Sequence, residues 1–148
     1  MKQFALCLGL ALTLCVTSAL AQKVGSQVQK QLVKQMVKDG HISQDCVRED
    51  GEANVLGVDL LYLNQDKQPE YYVYGKGCAT AGATRPAAWI YLRVGNSYKQ
   101  IFGGDEGEQS DIKLLKTRTN GFLDIQTSMY SGGQTYTAKS KYNGSVYK

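Results

Sequence analysis

Residues 112–129 read IKLLKTRTNGFLDIQTSM. At their centre Asn120-Gly121 offers two residues for which a positive φ is cheap, the condition that a two-residue hairpin turn imposes. Beyond the turn, Leu123, Ile125, Thr127 and Met129 alternate with Asp124, Gln126 and Ser128. Successive side chains of a strand point to opposite faces, so this spacing predicts one buried and one wet face, as in an antiparallel sheet. Two antiparallel neighbours over 112–119 and 122–129 follow.

The same pattern extends in both directions. Stretches 55–63, 70–74, 87–94, 98–102, 135–142 and 145–147 are rich in β-branched and aromatic residues, as strands are. Gly95-Asn96 and Asn143-Gly144 repeat the hairpin signal, and Ser131-Gly132-Gly133 makes a slightly longer turn. Ten tyrosines and sixteen glycines against two prolines suit strands joined by tight turns. Ahead of residue 55 the period becomes helical. Val24, Val28, Leu32 and Met36 recur every four residues, with Lys23, Lys30, Lys34 and Lys38 on the opposite side. Ser26 and Gln29 have the spacing of a capping box, and Gly40 suits a left-handed stop, so a helix is predicted over residues 26–39. The fold class expected is α+β: one N-terminal amphipathic helix packed on a mainly antiparallel β-meander.

The first 21 residues carry a different message. Lys2 precedes an apolar run from Phe4 to Val16, and Ala19-Leu20-Ala21 supplies small residues at a cleavage position. That is the layout of a secretory signal peptide, which predicts residues 1–21 as signal and 22–148 as a single α+β domain, periplasmic or secreted. The apolar run is short for a membrane span, and no second run approaches spanning length. Cleavage would remove Cys7 and Cys15 and leave Cys46 and Cys78. In an oxidising compartment those two are expected to pair, and their spacing lacks the C-x-x-C form of a redox or metal motif. The remaining 127 residues carry 16 basic and 13 acidic groups, too balanced a charge to predict a nucleic-acid partner.

Chemistry is sparse. The segment Tyr62 to Glu70, YLNQDKQPE, places oxygen-bearing side chains at Asn64, Asp66 and Glu70, as a calcium loop does at alternate positions. Tyr62 stands at the first carboxylate position and Lys67 where such loops bend at glycine, so the rival reading is a turn whose side chains bond their own backbone. The segment resembles the D-L-N-x-D-x-x-P-E signature of small secreted bacterial β-domains akin to single FG-GAP/VCBS-type units. Later pieces occur in the same order: Cys78, Trp89-Ile90-Tyr91, Thr119-Asn120-Gly121-Phe122-Leu123-Asp124-Ile125 and Tyr142-Asn143-Gly144-Ser145-Val146-Tyr147. The resemblance implies an envelope binding module, with inhibition of a cell-wall enzyme as one such role.

Two loops interrupt the strands, GKGCATAGATRP over 75–86 and GGDEGEQSD over 103–111. Loops held by a rigid sheet commonly carry binding residues, which singles out Thr84, Arg85, Asp105, Glu106, Glu108 and Ser110 as candidate contacts. No G-x-S-x-G elbow, H-E-x-x-H pair or P-loop occurs, and the single histidine, His41, follows the helix stop. The expectation is therefore a non-enzymatic protein-binding module without cofactor. Its partner would be an envelope or secreted protein such as a peptidoglycan hydrolase, which it would inhibit or confer immunity against. The rivals are a calcium-stabilised adhesion or matrix module using Asn64, Asp66 and Glu70, and a small envelope hydrolase using the acidic loop.

Overall fold

The computed structural model describes residues 24–80, 87–103, 109–131 and 133–148. Helices α1 (Ser26–Lys38) and α2 (Gln44–Asp50) precede β1 (Leu56–Leu61), β2 (Glu70–Gly75), a 3-10 turn (Gly77–Thr80), β3 (Ala88–Val94) and β4 (Ser97–Phe102). Then come β5 (Gln109–Thr119), β6 (Phe122–Ser131) and β7 (Gln134–Ser140). All pairings are antiparallel, and the strands form two sheets in sequence order, β1-β2-β3-β4 and β5-β6-β7. The protein is thus α+β with antiparallel strands and one disulfide, Cys46–Cys78, at a Cα separation of 5.7 Å.

Three expectations need correction. The strands make two sheets rather than one meander, with the break in the polar stretch between β4 and β5. Residues 145–147 form no strand: Tyr142 and Tyr147 meet in a lone bridge, and Asn143 Oδ1 turns the chain by accepting from the Ser145 and Val146 amides. Helix α1 starts at Ser26 as predicted, inside the chain and not at its N-terminus, but a second, unpredicted helix follows it. At seven residues α2 is too short to display a stripe, and local signals hold it instead. The Ser43 hydroxyl accepts from the Cys46 amide at 3.1 Å, and Asp45 sits in the first turn beside Arg48.

Helix α1 starts differently from the predicted box. Gly25 occupies the cap and no side chain bonds there. Gln29 instead reaches out to the Ala53 and Leu56 carbonyls at 2.8 and 3.4 Å, tying α1 to the lead-in of β1. The stop behaves as expected. The His41 amide donates to Met36 O and the Gly40 amide to Val37 O, with Gly40 at φ +80, a Schellman end that satisfies two orphan carbonyls. Leu32, Val33 and Met36 are buried, while Lys30, Lys34 and Lys38 are exposed.

The four-stranded sheet separates two cores. Against its helix side lie Leu32, Val33, Met36, Ile42, Cys46 and Val47, meeting Val73, Trp89, Tyr91 and Tyr98. On its other side Leu63, Ile90 and Ile101 pack with Ile125, Tyr142 and Tyr147. The second sheet is bonded there by the Leu123 amide to Leu63 O and the Tyr147 amide to Ile101 O, both 2.7 Å. The β5–β6 turn is the expected Asn120-Gly121 pair, with φ of +49 and +82. Ile125 is buried as its alternation predicted. Asp124, assigned to the wet face, is buried too. Hydrogen bonds from the Thr117 and Thr119 side chains hold its carboxyl below the usual range. Away from this base the second sheet is open, and β7 is exposed almost throughout.

Candidate functional site

The α1 stop delivers Asp39 and His41 onto the helix-side face of β3 and β4. With Gln35, Tyr98, Lys99 and Gln100 they line an open groove of ≈ 450 Å³. Asp39 accepts from Gln35 Nε2 at 2.8 Å and from the Tyr91 hydroxyl at 2.9 Å. Burial first, and then the bond to and charge of Asp39, push the Tyr91 phenol well above its ordinary range, so it stays a donor. Gln100 Nε2 donates to Gly103 O at 2.9 Å, which orients the amide and turns Oε1 toward His41 Nε2 at 2.7 Å. An oxygen facing it makes Nε2 the protonated ring nitrogen. The His41 ring also lies 4.8 Å from the Trp89 ring. Tyr98 donates to Gln31 Oε1 at 3.2 Å, and burial raises its phenol as well.

The groove thus offers a carboxylate, an imidazole, two carboxamides and a phenol, each already placed by a partner inside the protein. Such a mixed donor and acceptor lining suits recognition of a polar chain. The hydroxyl of the described lining is that of Tyr98, and it is engaged by Gln31. Trp89 lies beneath, buried, with its indole N–H unpartnered among the described residues.

Both interrupting loops leave from this end of the four-stranded sheet. Gly103, at φ +115, lies so close to β3 that a Cβ there would sit 2.6 Å from Trp89 Cδ1 and 2.8 Å from Ala88 O. Only glycine permits that approach. The first loop is anchored by the disulfide at Cys78, whose amide donates to Asp50 Oδ2 at 2.7 Å. The Cys46 and Cys78 sulfurs and an Asp50 oxygen lie within 4.8 Å of one another, but the sulfurs are bonded together and offer no thiolates to a metal. Thr84, Arg85, Asp105, Glu106 and Glu108 lie outside the described residues, as do residues 1–21, predicted above as a signal peptide; Ser110 falls within β5.

Asn64, Asp66 and Glu70 are brought together at the opposite end of the sheet, and they bond one another. Asn64 Nδ2 donates to Asp66 Oδ2 at 3.0 Å and to Glu70 Oε1 at 2.9 Å, while Asn64 Oδ1 accepts from the Asp66 amide. Asp66 Oδ1 accepts from the Gln68 amide, and Glu70 Oε2 from the Leu63 amide. An amide N–H₂ therefore bridges the two carboxylates, holding the loop closed by internal bonds. Calcium added against a chelator is expected to leave the melting temperature within about 1 °C, because a bound ion shifts it only through differential affinity for the folded state. Lys67 takes the left-handed conformation, φ +64, where a calcium loop bends at glycine. Lys67→Gly is expected to raise stability by about 0.5–1 kcal/mol, seen as a higher urea midpoint at unchanged slope.

Sequence reading missed the groove because its members come from two distant segments: Gln35, Asp39 and His41 in the first, Tyr98 and Gln100 in the second. The available signal was the helix stop, since a residue just after a Schellman glycine is directed across the neighbouring layer. No family model, no curated protein and no solved structure matches this chain.

Proposed function

We propose that this chain is an exported, non-enzymatic protein-binding module that engages its partner with the groove end of the four-stranded sheet. The observation that carries this is the convergence of the groove and both loop stems there, through Gln100 and Gly103. The disulfide behind the first loop fits a rigid, exported scaffold. Asp39 and His41 are engaged in positioning bonds, an arrangement that favours recognition over proton transfer. The most concrete form is an inhibitor of, or immunity protein against, a secreted peptidoglycan hydrolase, which the FG-GAP/VCBS-like resemblance also suggests.

The test is titration of residues 22–148 against a panel of muramidases and peptidoglycan amidases. Saturable inhibition is expected, with Gln35→Arg plus Gln100→Arg weakening it about tenfold or more by filling the groove. Both side chains are half-buried, and the melting temperature of the variant reports whether it remains folded. Full-strength inhibition by that variant, or no inhibition by the wild type of any enzyme tested, would overturn the proposal.

A further inference from the structure

The near-neutral charge of the chain conceals a strong segregation. Residues 109–148, which span the second sheet, contain six basic residues, Lys113, Lys116, Arg118, Lys139, Lys141 and Lys148, against two acids, Asp111 and Asp124. Asp124 is buried and engaged by Thr117 and Thr119. Arg118 is engaged as well, donating to the Leu63 and Gly121 carbonyls. The lysines are exposed.

Register places four of them on one face of the second sheet. Lys113 and Lys139 both pair with Gln126 from its two sides, so all three side chains share that face. Across two inter-strand spacings the Cα atoms of Lys113 and Lys139 lie about 10 Å apart. Lys141 follows Lys139 by two residues, about 7 Å along the same face. Lys141 and Lys148 exchange both backbone hydrogen bonds, at 2.7 and 3.0 Å, so they are direct neighbours on that face. Like charges directly opposite one another are destabilising in a sheet. Register puts Asp111, opposite Ser128, on this face as well, and the charge of Lys141 reaches Asp124, so the four lysines outnumber two carboxylates.

We infer that this lysine face of the three-stranded sheet is a docking surface for an anionic glycan, separate from the groove. Charge complementarity names an extended anion, and the rest of the face selects its class. Between and beside the lysines stand Gln126, Thr135 and Thr137, hydrogen-bonding groups suited to sugar hydroxyls. The exposed large apolar side chains of this sheet, Leu114 and Tyr136, are paired with Ile125 and Met129 and so belong to the opposite face. The described side chains of the lysine face include no exposed apolar wedge for a membrane. Tyr130 shares the face by register, opposite Thr135, and the DNA arm below tests whether bases stack there.

Dextran sulfate is the probe, with neutral dextran, duplex DNA and anionic phospholipid vesicles as comparison arms. Residues 22–148 are expected to bind dextran sulfate at low salt, with affinity falling steeply as salt rises. Replacing Lys113, Lys139, Lys141 and Lys148 by glutamine should weaken binding about tenfold or more, while Lys30→Gln/Lys34→Gln/Lys38→Gln on α1 changes it less than about twofold. The four sites are exposed, and circular dichroism checks the fold. Equal loss in the two variants, no loss in the first, or tighter binding to DNA or vesicles than to dextran sulfate would overturn the inference. Retained hydrolase inhibition by the four-glutamine variant would separate this surface from the groove.

Discussion

Replacing Cys46 and Cys78 together by alanine is expected to lower stability by about 3–4 kcal/mol, from the loop-closure entropy returned to the unfolded chain. For a domain of this size that corresponds to a fall in melting temperature of roughly 10–15 °C. The loss should be local before it is global. Helix α2 is only seven residues long, and the 3-10 turn carries no buried residue of its own. Their mutual attachment is the disulfide plus the Cys78 amide bond to Asp50. Amides of α2 and the 3-10 turn should therefore fall below the global limit in the variant through local opening, while β3 and β6 stay at that limit, itself lowered by about 3–4 kcal/mol. Uniform loss across all elements would show that the disulfide acts only through the unfolded chain and anchors no corner of the fold.

Glu70→Ala is expected to be about as damaging, at about 3–4 kcal/mol, from a lost buried side chain plus an orphaned buried amide. Glu70 is fully buried, and its two oxygens hold the Leu63 amide and the Asn64 side chain. Glu70→Gln keeps the amide bond but places one N–H₂ against another, so a cost of about 1–2 kcal/mol is expected. Burial, with Asp66 adding to it, pushes the Glu70 carboxyl above 4.5, while backbone N–H bonds from Leu63 and from Glu70 itself oppose the shift. A raised folded-state pKa means that the folded protein holds this proton more tightly than the unfolded chain does. The associated stability is fully present below 4.5 and is lost as pH rises through the shifted value. Glu70→Gln has no proton to lose, so the stability difference between wild type and variant should change across that window. Parallel pH profiles from chemical denaturation would contradict the assignment.

Local chemistry was readable wherever one segment contained its own instruction. Asn120-Gly121 specified its turn, the 122–129 alternation specified the buried Ile125, and Gly40 specified the end of α1. Each depends on backbone sterics or a short period. The division into two sheets was hidden, because alternation states which face is apolar but not which strand lies next to it. Asp124 shows the same limit: its pattern position is polar, yet Thr117 and Thr119 on β5 make its burial tolerable. The 62–70 loop was half legible. Its residues converge as the spacing suggested, but the Asn64 amide occupying the space between two carboxylates depends on rotamers that no spacing encodes. The groove was least legible, since Asp39, His41 and Gln100 meet only after the helix has docked on the sheet.

That groove is the centre of the functional proposal, and a cross-linking experiment addresses it most directly. A photo-reactive amino acid replaces Gln100 in the groove or, as a control, Val94, which is exposed at the opposite end of β3. Each variant is irradiated with periplasmic and secreted protein fractions, and adducts are identified by mass spectrometry. The predicted result is one saturable protein adduct from position 100, competed by unlabelled wild type and not formed from position 94. No saturable adduct from position 100, or the same adduct from both, would contradict partner binding at the groove.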